Sequence, residues 1–198
     1  MTKTPTIARM RPSKSVPAAQ EIRFYRANEK PYGAFSNLFR RPVEFEGSLF
    51  PTSEHAYQAG KARKPVVRDW ILSAPTPSLA AMAAHGLYVW DVVPNWAQIK
   101  FDRMRAVLRA KFDQHADLKE LLISTGSARL IEVGTVNNAV NRLWGEVDGK
   151  GENMLGVMLM DLRAAYAEES RMLKKPASAK PAARKKAVKT TKGTAAST

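Results

Sequence analysis

Glu54, Gln58 and Lys61 are spaced four and then three residues apart. On a helix these positions share one face. A carboxylate, an amide and an ammonium on one face make a chemically loaded surface. They lie in the stretch Pro51-Thr52-Ser53-Glu54-His55-Ala56-Tyr57-Gln58-Ala59-Gly60-Lys61. Thr52 or Ser53 suits a helix N-cap, where a side-chain oxygen accepts an unpaired backbone N–H. A plainer reading is also open: an ordinary capped surface helix whose Glu54 favours the positive end of the helix dipole. Spacing alone favours the plainer reading, since charged helix faces are usually just solvated.

The elements that must position this face read as follows. Ile22-Arg23-Phe24-Tyr25 is a strand candidate, and Gly33 marks a turn among aromatic residues. Val43, Phe45, Leu49 and Phe50 around Gly47 predict a hairpin running into Thr52. Helices are predicted over residues 53–62, 66–72, 78–84, 96–112 and around 118–122. Residues 87–93 read as a loop or a strand, and residues 129–133 as a strand. A loop carrying Asn137, Asn138 and Asn141 then leads to Leu143-Trp144-Gly145. Asn153 is expected to cap a last helix, from Met154 to about Arg171. The pattern is α+β: a predominantly helical single domain with a small β-sheet.

Composition bounds the chain further. Its 198 residues suffice for one domain with tails. It contains no cysteine, which excludes disulfides, thiol nucleophiles and cysteine metal sites and fits a reducing, cytoplasmic setting. No apolar run reaches membrane-spanning length, so no membrane partner is expected. His55, His85 and His115 are scattered and have no carboxylate cluster, so no metal site is expected. Of the net charge of +14, four cations fall in residues 1–20 and eight in residues 174–198, both without acids; about +2 remains for residues 21–173. The division is therefore a disordered arm over 1–20, a folded domain over 21–173 and a disordered basic Lys/Ala/Pro tail over 174–198. The tail has two readings, a nucleic-acid contact made through phosphates or a solvated extension.

The order of segments carries a resemblance. Tyr32-Gly33-Ala34-Phe35-Ser36-Asn37 precedes the Glu54 stretch, and Asn95-Trp96, Lys100 and Met104 come after it. Next are Lys111-Phe112-Asp113-Gln114-His115, Leu130-Ile131-Glu132, Trp144-Gly145 and Gly151-Glu152-Asn153-Met154-Leu155-Gly156. This ordered set resembles the NADAR, or YbiA-like, family over about residues 22–167. The family includes riboflavin-intermediate N-glycosidases, and some members are associated with ADP-ribose, including its removal from guanine in DNA.

The resemblance implies an N-glycosidase with no metal or redox cofactor. Its substrate would be a small ribosylated or ADP-ribosylated molecule, such as a riboflavin biosynthesis intermediate, or ADP-ribosyl-guanine in nucleic acid. The family's essential carboxylate falls on Glu54, and its active-site tryptophans fall on Trp96 and Trp144. Departure of a nitrogen base leaves a sugar that is positive at its anomeric carbon, and a buried carboxylate stabilises that charge and orients water. Gln58 and Lys61 would bind ribose hydroxyls or phosphate. Asn37 and Asn153 would supply hydrogen bonds, and the tryptophans a flat apolar surface.

Three positions depart from the family pattern. Asn141 stands where an Asp is expected, and Leu87 and Val93 stand where arginines are common. Asp91, Asp148 and Glu152 are candidates for a compensating carboxylate. These departures leave room for a different class, a non-catalytic module binding ADP-ribose or a nucleotide, with a tail that contacts nucleic acid.

Overall fold

The structure is a computed structural model and describes residues 20–174. The arm over 1–19 and the tail over 175–198 lie outside the described residues, and with them nearly all of the two predicted disordered segments. Two short sheets and seven helices form the rest. β1 (Glu21–Phe24) pairs in parallel with β4 (Arg129–Glu132), so that Phe24 stands beside Glu132. β2 (Val43–Phe45) and β3 (Ser48–Phe50) form the expected antiparallel hairpin. Its turn, Glu46-Gly47, has positive φ at both residues, 50° and 71°. That geometry matches the right-handed twist of the flanking strands.

α1 (Ser53–Ala59) follows the hairpin directly. The Thr52 side chain caps it by accepting the His55 N–H at 3.3 Å. Its C-terminal carbonyls are held by Arg103, which donates to Ala56 O and Tyr57 O and also reaches Glu46 at 3.1 Å. Gly60 leaves the room this guanidinium occupies, since a Cβ there would overlap it. A cation at these carbonyls also suits the negative end of the helix. α2 (Pro65–Leu72), α3 (Pro77–His85) and α4 (Trp96–Gln114) pack around α1. Every residue of α1 is buried, so the plain surface-helix reading does not hold.

The main core joins Phe24, Phe35, Leu108, Phe112, Leu122 and Leu130 to Leu155, Leu159 and Tyr166. Leu122 comes from α5 (Ala116–Ser124), and the last three residues from α7 (Met154–Lys174), which lies on β4. Lys111 sits inside this region, fully buried, donating to Ala34 O at 2.6 Å and Ser36 O at 2.9 Å. Residues 87–93 hold a single 3-10 turn, Val89–Asp91. The segment expected to be a loop before Gly145 is instead a short helix, α6 (Ala139–Trp144). Asn138 caps it by accepting the Asn141 N–H at 2.8 Å. Six residues are too few to show an apolar period, so only the cap was readable.

Candidate active site

α1 presents Glu54, Gln58 and, just past its end, Lys61 to one cleft of about 210 Å³. Asn37, Trp96, Asn141 and Trp144 line the same cleft. Seven of the eight residues singled out from the sequence therefore converge. The exception is Asn153, which does not line the cleft. It is buried with φ +52°, and both ends of its amide are spent on β4. Its Oδ1 accepts the Glu132 N–H at 3.0 Å, and its Nδ2 donates to Leu130 O at 2.8 Å. Asn153 does stand at the start of the last helix as expected, its carbonyl accepting the Val157 N–H at 2.9 Å, while its side chain braces a strand.

Glu54 is held at both ends. Its backbone N–H donates to Asn37 O at 3.1 Å, and its Oε1 accepts from Gln58 Nε2 at 2.7 Å. Asn37 is fixed in turn, accepting from Ser53 Oγ at 3.1 Å and donating to Met104 Sδ at 3.1 Å. Burial pushes the Glu54 carboxyl up to about 7, with the Gln58 amide pulling in the opposite direction. Tyr57 stands between the two indoles, its ring 5.3 Å from Trp96 and 5.7 Å from Trp144. These rings form the apolar wall that keeps water away from the carboxyl.

A second carboxyl in the cleft was not singled out from the sequence. Glu132, the last residue of β4, lines the cleft with Glu54. Its backbone is clamped by Asn153 on one side and on the other by the Glu146 N–H, which donates to Glu132 O at 2.8 Å. Gly145 permits this clamp, because a Cβ there would run into the Glu132 carbonyl. Burial and then the nearby Glu54 charge push the Glu132 carboxyl up to about 8. Among the described residues no side chain donates to it. The signal in the sequence was a carboxylate within the apolar run Leu130-Ile131-Glu132-Val133. Such a residue is seldom placed there without a partner or a task.

The three carboxylates considered as replacements do not line the cleft. Asp91 pairs with Lys64 at 2.9 Å, and Asp148 and Glu152 are exposed. The cationic end of the cleft is Lys61, beside His85, whose proton affinity is lowered by burial and by the Lys61 charge. The Lys61 ammonium donates to Ala84 O at 2.6 Å, and burial lowers its proton affinity. Two of its N–H donors remain for a ligand. Among the described residues no group of three or more His, Asp or Glu is placed to hold a metal ion, and no helix is long and apolar enough to cross a membrane.

Comparisons with known proteins identify the family and the fold. The chain is 41% identical over 149 residues to the N-glycosidase YbiA of Shigella flexneri, covering 75% of this chain and 89% of that one. It is 30% identical to a Vibrio vulnificus riboflavin biosynthesis protein, covering 76% of this chain but 40% of that longer one. The solution structure of Escherichia coli YbiA superposes with a TM-score of 0.69 at 38% identity, covering 81% of this chain and 91% of that one. The NADAR domain model matches residues 23–166, which takes in both carboxylates, both indoles and the strand that carries Glu132, and the chain therefore belongs to the NADAR domain family.

Proposed function

We propose that the protein is an N-glycosidase that hydrolyses the bond between a ribose and a nitrogen base, with Glu54 and Glu132 as its acid–base pair. The observation that carries this reading is the presence of two carboxyls with raised proton affinity in one aromatic-walled cleft. Near neutrality such a pair holds about one proton between its members. Gln58 donates to Glu54 and so favours its ionised form, whereas Glu132 has no donor and keeps the proton. The C1′–N bond breaks and its electron pair goes to the nitrogen, which takes the Glu132 proton. Glu54 stabilises the positive sugar and accepts a proton from the water that adds to C1′. The products are the free base and the ribose with a hydroxyl at C1′, and the pair returns to one shared proton after exchange with solvent.

Lys61 places one modest positive charge at the cleft's edge, enough for a phosphate on the ribose, with His85 beside it held towards its neutral form by burial and by Lys61. Together with the names of the relatives, this favours a ribosylated intermediate of riboflavin synthesis as substrate. A cytoplasmic setting belongs to the same proposal and rests on the cysteine-free sequence. A module that only binds ADP-ribose gives no account of one buried and one half-buried carboxyl sharing a cleft without a neutralising cation, an arrangement that costs stability.

The test is a product assay on the wild type and Glu54→Gln with two substrates, the riboflavin intermediate and DNA bearing ADP-ribosyl-guanine, with released base or ADP-ribose followed by mass spectrometry. Release by the wild type only, from the riboflavin intermediate, is expected. Full activity in Glu54→Gln would sink the assignment. The nucleic-acid contact through residues 174–198 is a separate proposal resting on their eight cations. Shortening the chain after residue 173 is expected to abolish salt-sensitive DNA binding.

A further inference from the structure

Lys111 carries an amine into the core with no carboxylate to meet it. It is fully buried on α4, and among the described residues no acidic side chain pairs with it. The rings of Phe39 and Phe112 lie 5.8 Å and 5.4 Å from its Nζ. Burying such a group is costly. Both of its hydrogen bonds go to one short segment, the end of the 3-10 turn Tyr32–Phe35 and the residues just after it.

α4 grips this segment twice. Lys111 Nζ donates to Ala34 O at 2.6 Å and to Ser36 O at 2.9 Å. One residue further on, Asn37 Nδ2 donates to Met104 Sδ at 3.1 Å. Met104 and Lys111 are seven residues apart on α4, about two turns, so they share a face. The grips fall on either side of the Ser36–Asn37 peptide. What the segment then delivers is the Asn37 carbonyl, which accepts the Glu54 N–H at 3.1 Å and Ser53 Oγ at 3.2 Å. The N–H groups of a helix's first turn have no partner within the helix. This bond therefore ties the residue that bears the carboxylate to a point outside α1. Gln58 holds the Glu54 carboxyl from within α1 and moves with it.

We infer that Lys111 is a positioning residue for the reaction, pinning residues 34–37 to α4 so that Asn37 seats Glu54 in the cleft. The inference rests on the role given to Glu54 above. It runs a continuous line of contacts from the core to the reacting carboxyl, through Ser36 and Asn37. It also gives the buried amine a task beyond holding the fold together.

Lys111→Met keeps an unbranched side chain and removes the donor. Its first readout is amide hydrogen exchange on the full chain, followed by NMR. The Ala56 N–H, which bonds to Thr52 O at 3.2 Å in the same turn, is the internal reference. Exchange at the Glu54 N–H is expected to rise about tenfold relative to that reference. Equal rises at both amides, or no change at Glu54, overturn the inference.

The second readout is the pH dependence of turnover of the riboflavin intermediate, measured well below the melting temperature. In Lys111→Met, kcat is expected to fall about tenfold or more with KM little changed. The acid limb of kcat/KM should move to lower pH, because a Glu54 loosened from its seat gains water. Loss of a positive charge alone would move that limb the other way. An unmoved or raised acid limb overturns the inference. Met104→Leu conserves core volume and releases only the second grip, so it serves if Lys111→Met does not fold. The same changes, smaller, are expected from it. Faster exchange at Glu54 in a protein whose wild type cleaves no ribosylated substrate would sink the glycosidase reading and leave Glu54 seated by Lys111. Wild-type cleavage with unchanged exchange in both variants would do the reverse.

Discussion

Glu54 on α1 and Glu132 at the end of β4 face the same cleft, and the charge of the first raises the proton affinity of the second. Their surroundings set them apart. Glu54 receives the Gln58 amide at 2.7 Å, whereas Glu132 is clamped only through its backbone. Two carboxyls in unlike environments divide into a base and an acid.

The pH dependence of kcat/KM follows from this division. In the proposed roles Glu54 acts ionised and Glu132 protonated, so the profile should be a bell centred between about 7 and about 8. Glu132→Gln is expected to lose about 10²-fold or more in kcat/KM, together with the alkaline limb. The loss should shrink for a substrate whose base departs without protonation. Steady-state rates from pH 5 to 10 on both substrates check this.

Stability responds to the same groups in the opposite sense to an ordinary ion pair. Both carboxyls hold protons more tightly folded than unfolded, where they titrate near 4.5. The folded chain therefore binds more protons, and stability falls as pH rises from about 4.5 through about 8. Glu54→Gln/Glu132→Gln should flatten this fall, gaining on the wild type more at pH 8 than at pH 5. Denaturant melts across that range measure the difference.

Lys111 has the converse linkage. Burial lowers its amine to about 7 from 10.5, so unfolding takes up a proton between those values. Wild-type stability should therefore rise relative to Lys111→Met as pH increases from 7 to 10. The variant also leaves Ala34 O and Ser36 O without their donor, at a cost of about 1–3 kcal/mol. Chemical denaturation of both proteins at several pH values separates the two effects.

Gly145→Ala probes the backbone behind the acid. The added methyl meets the Glu132 carbonyl, so Glu132 or the α6 end must shift. A loss of about 1–3 kcal/mol is expected from the overpacking. A fall in kcat that persists well below the melting temperature is expected from the displaced carboxyl. Activity and unfolding measured on the same preparation distinguish them.

The hairpin, the capped α1 and the long α4 were legible because each follows from local chemistry: a Gly turn, a threonine cap and an apolar period. So was the convergence of Glu54 and Gln58, which helix geometry dictates; α1 ends at Ala59 rather than at residue 62, and Lys61 reaches the cleft from just past that end. Glu132 was not, because its place beside Glu54 depends on how β4 and α1 meet in space. The strand brace made by the Asn153 side chain was hidden for a similar reason. An Asn before an apolar run is most simply a cap, and nothing local shows that β4 will lie within reach of its amide. Lys111 falls on the apolar stripe of α4 with Met104, Val107, Leu108 and Phe112, and that misfit was visible in the sequence.

The parallel pairing of β1 with β4 has a kinetic consequence. The strand bearing Glu132 finds its partner in residues 21–24, more than a hundred residues earlier in the chain. Contacts so distant in sequence form late and slowly, after the helices between them have collapsed. Glu54 and its capped helix lie in the first third of the chain and need no such wait. A growing chain therefore owns its carboxylate long before it owns its acid. Hydrolytic competence would switch on in the last stage of folding, which makes activity a sensitive reporter of whether the two far-apart strands have joined.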